Sequence, residues 1–314
     1  MLNRRFIRIR VLQALYAFYN KEGEDLARTE NELLRSMDRI YDLYVLMLEL
    51  ILQLKRQAED RIEEGKRKKL PTQDDLLPNM RFIESPVLAH LEESNKVRQY
   101  SESHALSWGD HKEYVKNLLK RVRESELFEQ YMEAEEVTYK DHRSFLVEMY
   151  AEMIAADEDL HEILEEKSIY WVEDMALVNS AVIRTLQSMK STSGSSKAIE
   201  PLYRDLDDRE YAIKLLRKVL TQNDDFEEMI SKKAQNWEME RIAQMDMLLM
   251  KMALAEFLYF ETIPVKVSMN EYIELSKDFS TPKSKIFING VLDKLVIELK
   301  KGDRINKMGR GLVE

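Results

Sequence analysis

The sequence predicts an all-helical protein. Only 8 of its 314 residues are glycine and 6 are proline, whereas all-β folds need frequent turn residues. Apolar residues recur at three- and four-residue steps through most of the chain, which is the period of an amphipathic helix. The 17 methionines agree with this, because methionine favours helices and fills irregular cores. The length predicts roughly two domains.

The first helix is predicted over residues 4–20. Within it, Arg4, Arg5 and Arg8 fall in an arc of about 100° beside the apolar stripe. Cations at a helix N-terminus oppose the helix dipole, and convergent guanidinium groups suit phosphates and bases. From the residues alone, this basic stripe fits either a solubilising helix end or a site for RNA or another polyanion.

The charge of the chain is unevenly distributed. A net charge of −10 argues against a general nucleic-acid binder. However, four arginines occur within the first ten positions, and the first acidic residue is Glu22. A basic terminus on an acidic body favours a local polyanion site over a general one.

Further helices are predicted along the middle of the chain. Thr29 and Glu32 have the spacing of a capping box, which predicts the start of a long helix. The small polar residues at 191–196 predict a flexible loop. Helical patterns cover about residues 29–69, 111–133, 142–156 and 170–190.

The C-terminal third carries stronger helix signals. Ser268 and Glu271 form a second apparent capping box, and Thr281 followed by Pro282 is typical of a helix start. The polar tail from Gly302 is expected to be mobile. The predicted helices cover a single or paired helix over 208–234, then 239–260, 268–279 and a last helix from 281 whose buried face includes residues 287, 291, 295 and 299.

No catalytic or metal-binding constellation is present in the sequence. The absence of cysteine excludes disulfides, thiolate zinc sites and cysteine nucleophiles, and it is typical of a reducing compartment. The five histidines lack the i, i+4 spacing of a helical metal site, and there is no Gly-rich phosphate loop. We therefore predict a non-enzymatic protein without metal or cofactor. It is expected to be cytoplasmic, because no apolar run resembles a signal peptide or a membrane span.

Motifs at the two ends of the chain carry a family resemblance. Arg-Arg-Phe-Ile-Arg at positions 4–8 is followed by Leu-Gln-Ala-Leu-Tyr at 12–16. In the C-terminal third, Ile-Pro-Val-Lys-Val at 263–267 precedes Phe-Ile-Asn-Gly-Val-Leu-Asp at 287–293. In this order and spacing, the motifs resemble the NusB family of transcription antitermination factors.

The resemblance divides the chain into three parts. Residues 1–20 resemble the first helix of a NusB-like core, and residues 206–314 resemble its remainder. Residues 23–205 have no counterpart in the shorter family members and are interpreted as a helical insertion. The expected fold is therefore an all-α, NusB-type helical bundle with an inserted helical region.

The resemblance also implies a function and partners. It implies binding of boxA-type RNA together with a ribosomal protein that acts as NusE, in an antitermination complex with NusA, NusG and RNA polymerase. Some family members form homodimers, so a homodimer is also considered. The matching RNA-binding positions are Arg4, Arg5, Arg8, Phe279, Lys283, Lys285 and Phe287. The matching partner-binding positions, all acidic and on the central helix, are Glu240, Asp246 and Glu256. The position of Glu256 fits an internal hydrogen-bond acceptor equally well. Asn289 and Gly290 are interpreted as structural residues inside helix packing.

Two other functions were weighed. NusB-like domains also occur fused to RNA cytosine methyltransferases, but those enzymes carry catalytic cysteines and a Gly-rich cofactor loop that this sequence lacks. Alternatively, the chain is a helical scaffold whose insertion is the working surface, with the acidic residues of 120–165 binding a basic protein. Deleting residues 25–200 distinguishes these functions. If RNA and NusE binding survive the deletion unchanged, the insertion has a role other than binding them.

Overall fold

A computed structural model describes residues 1–21, 25–192, 198–205, 207–234 and 242–312. Its helices confirm the all-α fold, and no β-sheet forms among these residues. The helices are α1 (Arg4–Asn20), α2 (Leu26–Lys66), α3 (Gln73–Leu76), α4 (Pro86–Glu92), α5 (Asn95–Ser103), α6 (Lys112–Arg123), α7 (Glu126–Glu133), α8 (Tyr139–Met149), α9 (Glu158–Lys167), α10 (Met175–Ser188), α11 (Asp208–Thr221), α12 (Asn223–Lys233), α13 (Gln244–Tyr259), α14 (Val265–Phe279) and α15 (Ser284–Lys301). None of the described helices is long and apolar enough to cross a lipid bilayer.

The chain forms two compact units. One unit comprises Met1 and Asp38–Leu202, and the other comprises Leu2–Met37 and Tyr203–Glu314. Helix α2 contributes residues to both, up to Met37 in one and from Asp38 in the other. The domain boundaries drawn from the family resemblance, at 20/23 and 205/206, stay a prediction.

The unit from Asp38 to Leu202 has its own apolar core. Buried aromatic residues satisfy their polar atoms within it, as buried hydroxyls and indoles must. Tyr44 and Thr185 share a hydrogen bond of 2.6 Å. The indole of Trp108 donates to the carbonyl of Leu46 at 2.9 Å, and that of Trp171 donates to the carbonyl of Arg39 at 2.8 Å.

The second unit is built around α13. Eleven of its residues are buried, including charged ones, so this helix is enclosed on all sides rather than amphipathic. Helices α1, α11, α12, α14 and α15 pack against it. The predicted helix over residues 4–20 is confirmed as α1, whose first turn is capped by the Asn3 side chain accepting from the Phe6 amide at 3.1 Å.

Several predicted helix starts are wrong by a few residues. Helix α2 begins earlier than Thr29, since Asp25 accepts from the Arg28 amide at 2.8 Å and Thr29 lies inside the helix. Helix α14 already begins at Val265 rather than after a Ser268 cap. Helix α15 begins at Ser284, two residues after the predicted first position.

Other predicted segments divide or shift. Residues 111–133 form two helices, because the Ser125 hydroxyl accepts from the Phe128 amide at 3.2 Å and starts α7. Residues 208–234 form the pair α11 and α12. The predicted loop at 191–196 lies mostly outside the described residues, as do residues 239–241 of the predicted 239–260 helix. The described part of that helix begins at Gln244.

The interpretation of Asn289 and Gly290 as packed residues is also wrong. Both are exposed on α15, and a Cβ atom added to Gly290 would meet nothing within 4 Å. The Asn289 amide donates to the Asp293 carboxylate at 3.3 Å. The apolar positions Phe287, Val291, Leu295 and Leu299 are buried as predicted.

The C-terminal tail is fixed to the end of α13 rather than free. The Lys307 ammonium donates to the carbonyls of Glu256 and Phe260 at 2.9 and 2.8 Å, and the Met308 amide donates to the carbonyl of Glu261 at 2.9 Å. The carbonyls of Glu256 and Phe260 also accept from the Phe260 and Ile263 amides, so the Lys307 ammonium uses their second lone pairs. Burial lowers the pKa of Lys307 to about 8.

Replacing Lys307 with alanine is expected to release this tail. Losing two hydrogen bonds from a half-buried ammonium should lower the free energy of unfolding by about 1 kcal/mol. Amide hydrogen exchange should also accelerate over residues 303–308. The matched control is Lys301→Ala, an exposed lysine at the end of α15. Fast exchange of this segment in the unmodified protein would contradict the packing described here.

Candidate functional site

Glu256 on α13 is the most completely enclosed charge of the second unit. Its relative exposure is 0%, and Arg8 of α1 donates to both of its carboxylate oxygens, from Nε at 2.7 Å and from Nη2 at 3.0 Å. Bidentate pairs of this kind are the strong ones, because two parallel bonds fix the planes of both groups. The pair therefore holds α1 against α13.

Three hydroxyl groups complete the shell around this carboxylate. Tyr211 and Tyr272 donate to Oε1 at 2.5 and 2.6 Å, and Ser268 donates to Oε2 at 2.5 Å. Burial acts to raise the pKa of Glu256, but Arg8 and these hydroxyls outweigh it and hold the pKa below its ordinary value. The carboxylate is thus charged and satisfied inside the unit.

The sequence predicts that Arg8 contacts RNA and that Glu256 contacts a partner protein, but both side chains are buried. The Arg8 side chain is only 3% exposed, and its Nη1 also donates to Glu271 at 3.4 Å. Neither charge is accessible in this structure. A direct contact of either residue with RNA or protein requires the buried pair to open, which costs several kcal/mol.

The other two arginines of the stripe lie nearer the surface. Arg4 donates from Nε to the buried Asp208 carboxylate at 3.4 Å, with its guanidinium 5.0 Å from the centre of the Tyr211 ring. Arg5 donates to Asp278 at 3.3 Å, and both members of this pair are well exposed. Arg5 is therefore the arginine of the three that is most available to a phosphate.

The turn between α14 and α15 is held by Asp246, one of the predicted partner-binding residues. Its carboxylate accepts from the Ser280 hydroxyl at 2.5 Å and from the Ser284 hydroxyl at 2.8 Å, and its residue is only 5% exposed. Lys283 and Lys285 flank the buried Ser284 and are both exposed. Asp246 therefore positions the two lysines from inside.

The two predicted aromatic contacts differ in accessibility. Phe287 lies on the buried face of α15, whereas Phe279 at the end of α14 is half-buried. Only the latter presents ring surface at the turn that carries Lys283 and Lys285. Glu240, the third predicted partner-binding residue, lies outside the described residues.

Basic side chains from α1, α14 and α15 converge on Glu274. A hydrogen bond from Lys277 lowers the pKa of this exposed carboxylate, and the nearby charges of Lys277, Arg5 and Lys285 lower it further. Together with the exposed Lys283, these residues form what we call the α1–α15 basic surface, defined by Arg5, Lys277, Lys283 and Lys285. Sequence reasoning missed Lys277, whose position in the last turn of α14 is also typical of a helix-capping lysine.

Replacing Asp246 with alanine is expected to loosen the turn that carries the two lysines. The Ser280 and Ser284 hydroxyls lose their buried acceptor, so the free energy of unfolding should fall by about 1–3 kcal/mol. Denaturant unfolding measures this, with Asp293→Ala on the exposed face of α15 as the matched control. Equal stability of the two variants would contradict the role given to Asp246.

Comparison with known proteins identifies one family over the C-terminal part of the chain. A family model described as the NusB family matches residues 180–296. The chain is 41% identical over 138 residues to the transcription antitermination protein NusB of Salinibacter ruber, which covers 42% of this chain and 86% of that protein. It is also 41% identical over 115 residues to the protein of the same name from Chloroherpeton thalassium, covering 37% of this chain and 54% of that protein. No solved structure matches.

These findings identify the class of protein as an all-helical, NusB-type bundle. The match at 41% identity over most of the Salinibacter ruber protein shows that the chain belongs to the NusB family. This confirms the family resemblance, and the matched residues 180–296 contain its C-terminal motifs at 263–267 and 287–293. Because the family is non-enzymatic, the chain is not an enzyme.

Proposed function

We propose that this protein promotes transcription antitermination by binding boxA-type RNA. The observation that carries the proposal is the meeting of α1 with the end of α14, where Arg5 pairs with Asp278 and Lys277 pairs with Glu274, in a chain that belongs to the NusB family. Single-stranded RNA is held largely by neutralisation of its phosphates. Four exposed cations on three adjacent helices supply that neutralisation in a chain whose net charge is −10.

The acidic residues on this surface do not prevent RNA binding. Arg5 pairs with Asp278, and Lys277 pairs with Glu274, across exposed side chains. Exposed pairs contribute only about 0–1 kcal/mol, so an incoming phosphate displaces the carboxylate at small cost. The same carboxylates hold the cations in place before the RNA arrives.

Buried residues give this surface its shape. The Arg8–Glu256 pair fixes α1 and hence Arg5, while Asp246 fixes the turn that carries Lys283 and Lys285. We therefore propose that Arg8 acts on RNA binding through Arg5 rather than by direct contact. Lys283 and Lys285 also lie at the N-terminus of α15, where backbone amides favour phosphate.

A ribosomal protein acting as NusE is the proposed protein partner. Such a partner is basic, so an acidic contact residue is complementary to it. Of the three acidic candidates, Asp246 and Glu256 are internal and support the site from within. Glu240 is the proposed direct contact. NusA, NusG and RNA polymerase complete the proposed complex, and homodimer formation stays a prediction.

Terminator readthrough in a reconstituted transcription reaction tests this function. The reaction contains RNA polymerase, NusA, NusG and the ribosomal protein, on templates that carry boxA or a scrambled boxA upstream of a terminator. Adding the protein should increase readthrough on the template that carries boxA and leave readthrough on the scrambled template unchanged. Equal readthrough on both templates would overturn the proposed function.

Replacing Glu240 with lysine tests the protein partner in the same reaction. If Glu240 contacts a basic ribosomal protein, the variant should lose the part of the readthrough that depends on that protein. Binding of RNA alone should be unchanged, since Glu240 is not assigned to the α1–α15 basic surface. Full retention of the partner-dependent readthrough would contradict the assignment.

A further inference from the structure

An open groove of about 710 Å³ runs along the outer face of α11. It lies entirely within the unit formed by Leu2–Met37 and Tyr203–Glu314. The charged residues along it are unevenly placed. Asp207, Arg209 and Glu210 lie at the first turn of α11, with Arg4 of α1 also lining the groove, and the charged residues of the following turns are all basic: Lys214, Arg217 and Lys218.

Cations and aromatic rings alternate in and beside this groove. The guanidinium of Arg4 lies 5.0 Å from the centre of the Tyr211 ring. The Lys214 ammonium lies 4.8 Å from the Phe260 ring. A third pair follows one turn along, where the Lys218 ammonium lies 4.3 Å from the ring of Tyr259. Tyr211 and Phe260 are themselves buried, so the rings position the cations along the groove, and the cations are the groups available to the phosphates of a single strand.

The groove retains positive charge after its own ion pairs are considered. Arg4 is paired with Asp208 at 3.4 Å, and Arg217 is engaged by Glu30, with Nη2 donating to Oε2 at 2.7 Å. Arg209, Lys214 and Lys218 form no ion pair with an acidic side chain in the described part of the chain. Asp207 and Glu210 lie at the N-terminal end of the groove, so the positive charge is concentrated towards its other end.

Arg4 connects this groove to the α1–α15 basic surface. It lines the groove and is the immediate neighbour of Arg5 in the first turn of α1. A single strand bound at Arg5 therefore enters the groove at the end that holds Asp207 and Glu210, and it reaches Lys214 and Lys218 one and two turns further along α11. Helix α11 spans roughly 20 Å at 1.5 Å per residue, which accommodates several nucleotides.

We propose that the α11 groove binds the single-stranded RNA that continues beyond the segment held at the α1–α15 basic surface. This inference rests on the proposed function, because it requires RNA at the first surface. The groove then contributes length-dependent affinity through phosphates on Lys214 and Lys218 and through stacking on the Arg4 guanidinium. An acidic protein segment is the competing occupant and is an outcome of the test.

The test measures whether the affinity gained by lengthening the RNA depends on the cations of the groove. Equilibrium binding is measured for a boxA-type RNA alone and for the same RNA with about eight added uridines at its 5′ or 3′ end. One of the two extensions should tighten binding to the unmodified protein by roughly tenfold at moderate salt. The Lys214→Ala, Lys218→Ala variant should lose this gain and still bind the short RNA as before.

The matched control is Lys232→Ala, Lys301→Ala, which removes the same charge from α12 and α15. It should keep the gain from the extension. The Lys214→Ala, Lys218→Ala variant should also flatten the salt dependence of binding to the extended RNA, by a slope of about 1.4 for two lost phosphate contacts.

Two results overturn the inference and leave the proposed function intact. Either no extension tightens binding, as expected if the groove holds an acidic protein segment, or the groove variant weakens short and extended RNA equally. If neither RNA binds the unmodified protein, the proposed function fails together with the inference.

Discussion

Replacing Arg8 with alanine is expected to lower the free energy of unfolding by about 3–5 kcal/mol. The substitution leaves the fully buried Glu256 carboxylate without its cation and removes both bonds of the bidentate pair. A buried charge that has lost its partner keeps its desolvation penalty, so the loss greatly exceeds that of a surface pair. Urea denaturation monitored by circular dichroism measures the difference.

Arg5→Ala is the matched control for this prediction. It also removes an arginine and an ion pair from the first turns of α1, but Arg5 and Asp278 are exposed, so the expected loss is at most about 1 kcal/mol. If Arg8→Ala destabilises the protein no more than Arg5→Ala does, the enclosed pair does not hold α1 in place.

The same pair gives the stability a pH dependence of defined sign. The pKa of Glu256 in the folded protein lies below its ordinary value of 4.5, so the folded state favours the carboxylate. Its contribution is complete above pH about 4.5 and is lost as the pH falls through the lower folded pKa. Glu256→Gln should therefore flatten the acid limb of the stability profile. An unchanged acid limb would show that other carboxylates control it.

The second large effect is expected on RNA affinity. The triple variant Arg5→Ala, Lys283→Ala, Lys285→Ala removes three exposed cations of the α1–α15 basic surface. Its affinity for boxA-type RNA should fall by one to two orders of magnitude, and the salt dependence of binding should flatten by a slope of about 2, at roughly 0.7 per phosphate of a single strand. Titrations at several salt concentrations measure both quantities.

This triple variant separates binding from folding. Its three side chains are outside the core, so its free energy of unfolding should change by less than about 1 kcal/mol. A charge-matched variant away from this surface, Lys232→Ala on α12 with Lys294→Ala and Lys301→Ala further along α15, should keep its RNA affinity within a few-fold. Equal losses in the two triple variants would indicate general electrostatic attraction and not a defined surface.

Much of the fold follows from local sequence signals. The extent of α1 and the buried face of α15 were predictable from the helical period of their apolar residues, although the face that α1 buries, with Ile7 and Val11, is not the one expected from Phe6, Ile9, Tyr16 and Tyr19. The apparent cap at Ser268 failed for a tertiary reason. Its hydroxyl donates to Glu256 at 2.5 Å, and this demand for a buried donor comes from a different helix. Local patterns do not report such a demand.

The candidate site was predictable only in part. Its exposed cations were found from the arginine stripe and the family resemblance. The pairing of Arg8 with Glu256, 248 residues apart, has no local signal. One indication was nevertheless present in the sequence. Glu256 stands between Ala255 and Phe257 in a helix that is apolar on all sides, and an acid in such a place needs a buried cation or several donors.

Lysine footprinting of the protein–RNA complex tests the central claim most directly. Acetylation of each lysine is quantified by mass spectrometry with and without boxA-type RNA. Binding at the α1–α15 basic surface predicts strong protection of Lys277, Lys283 and Lys285, with Lys232 and Lys301 modified equally in both states. Protection confined to lysines of the Asp38–Leu202 unit, with none at Lys283 or Lys285, would contradict the claim.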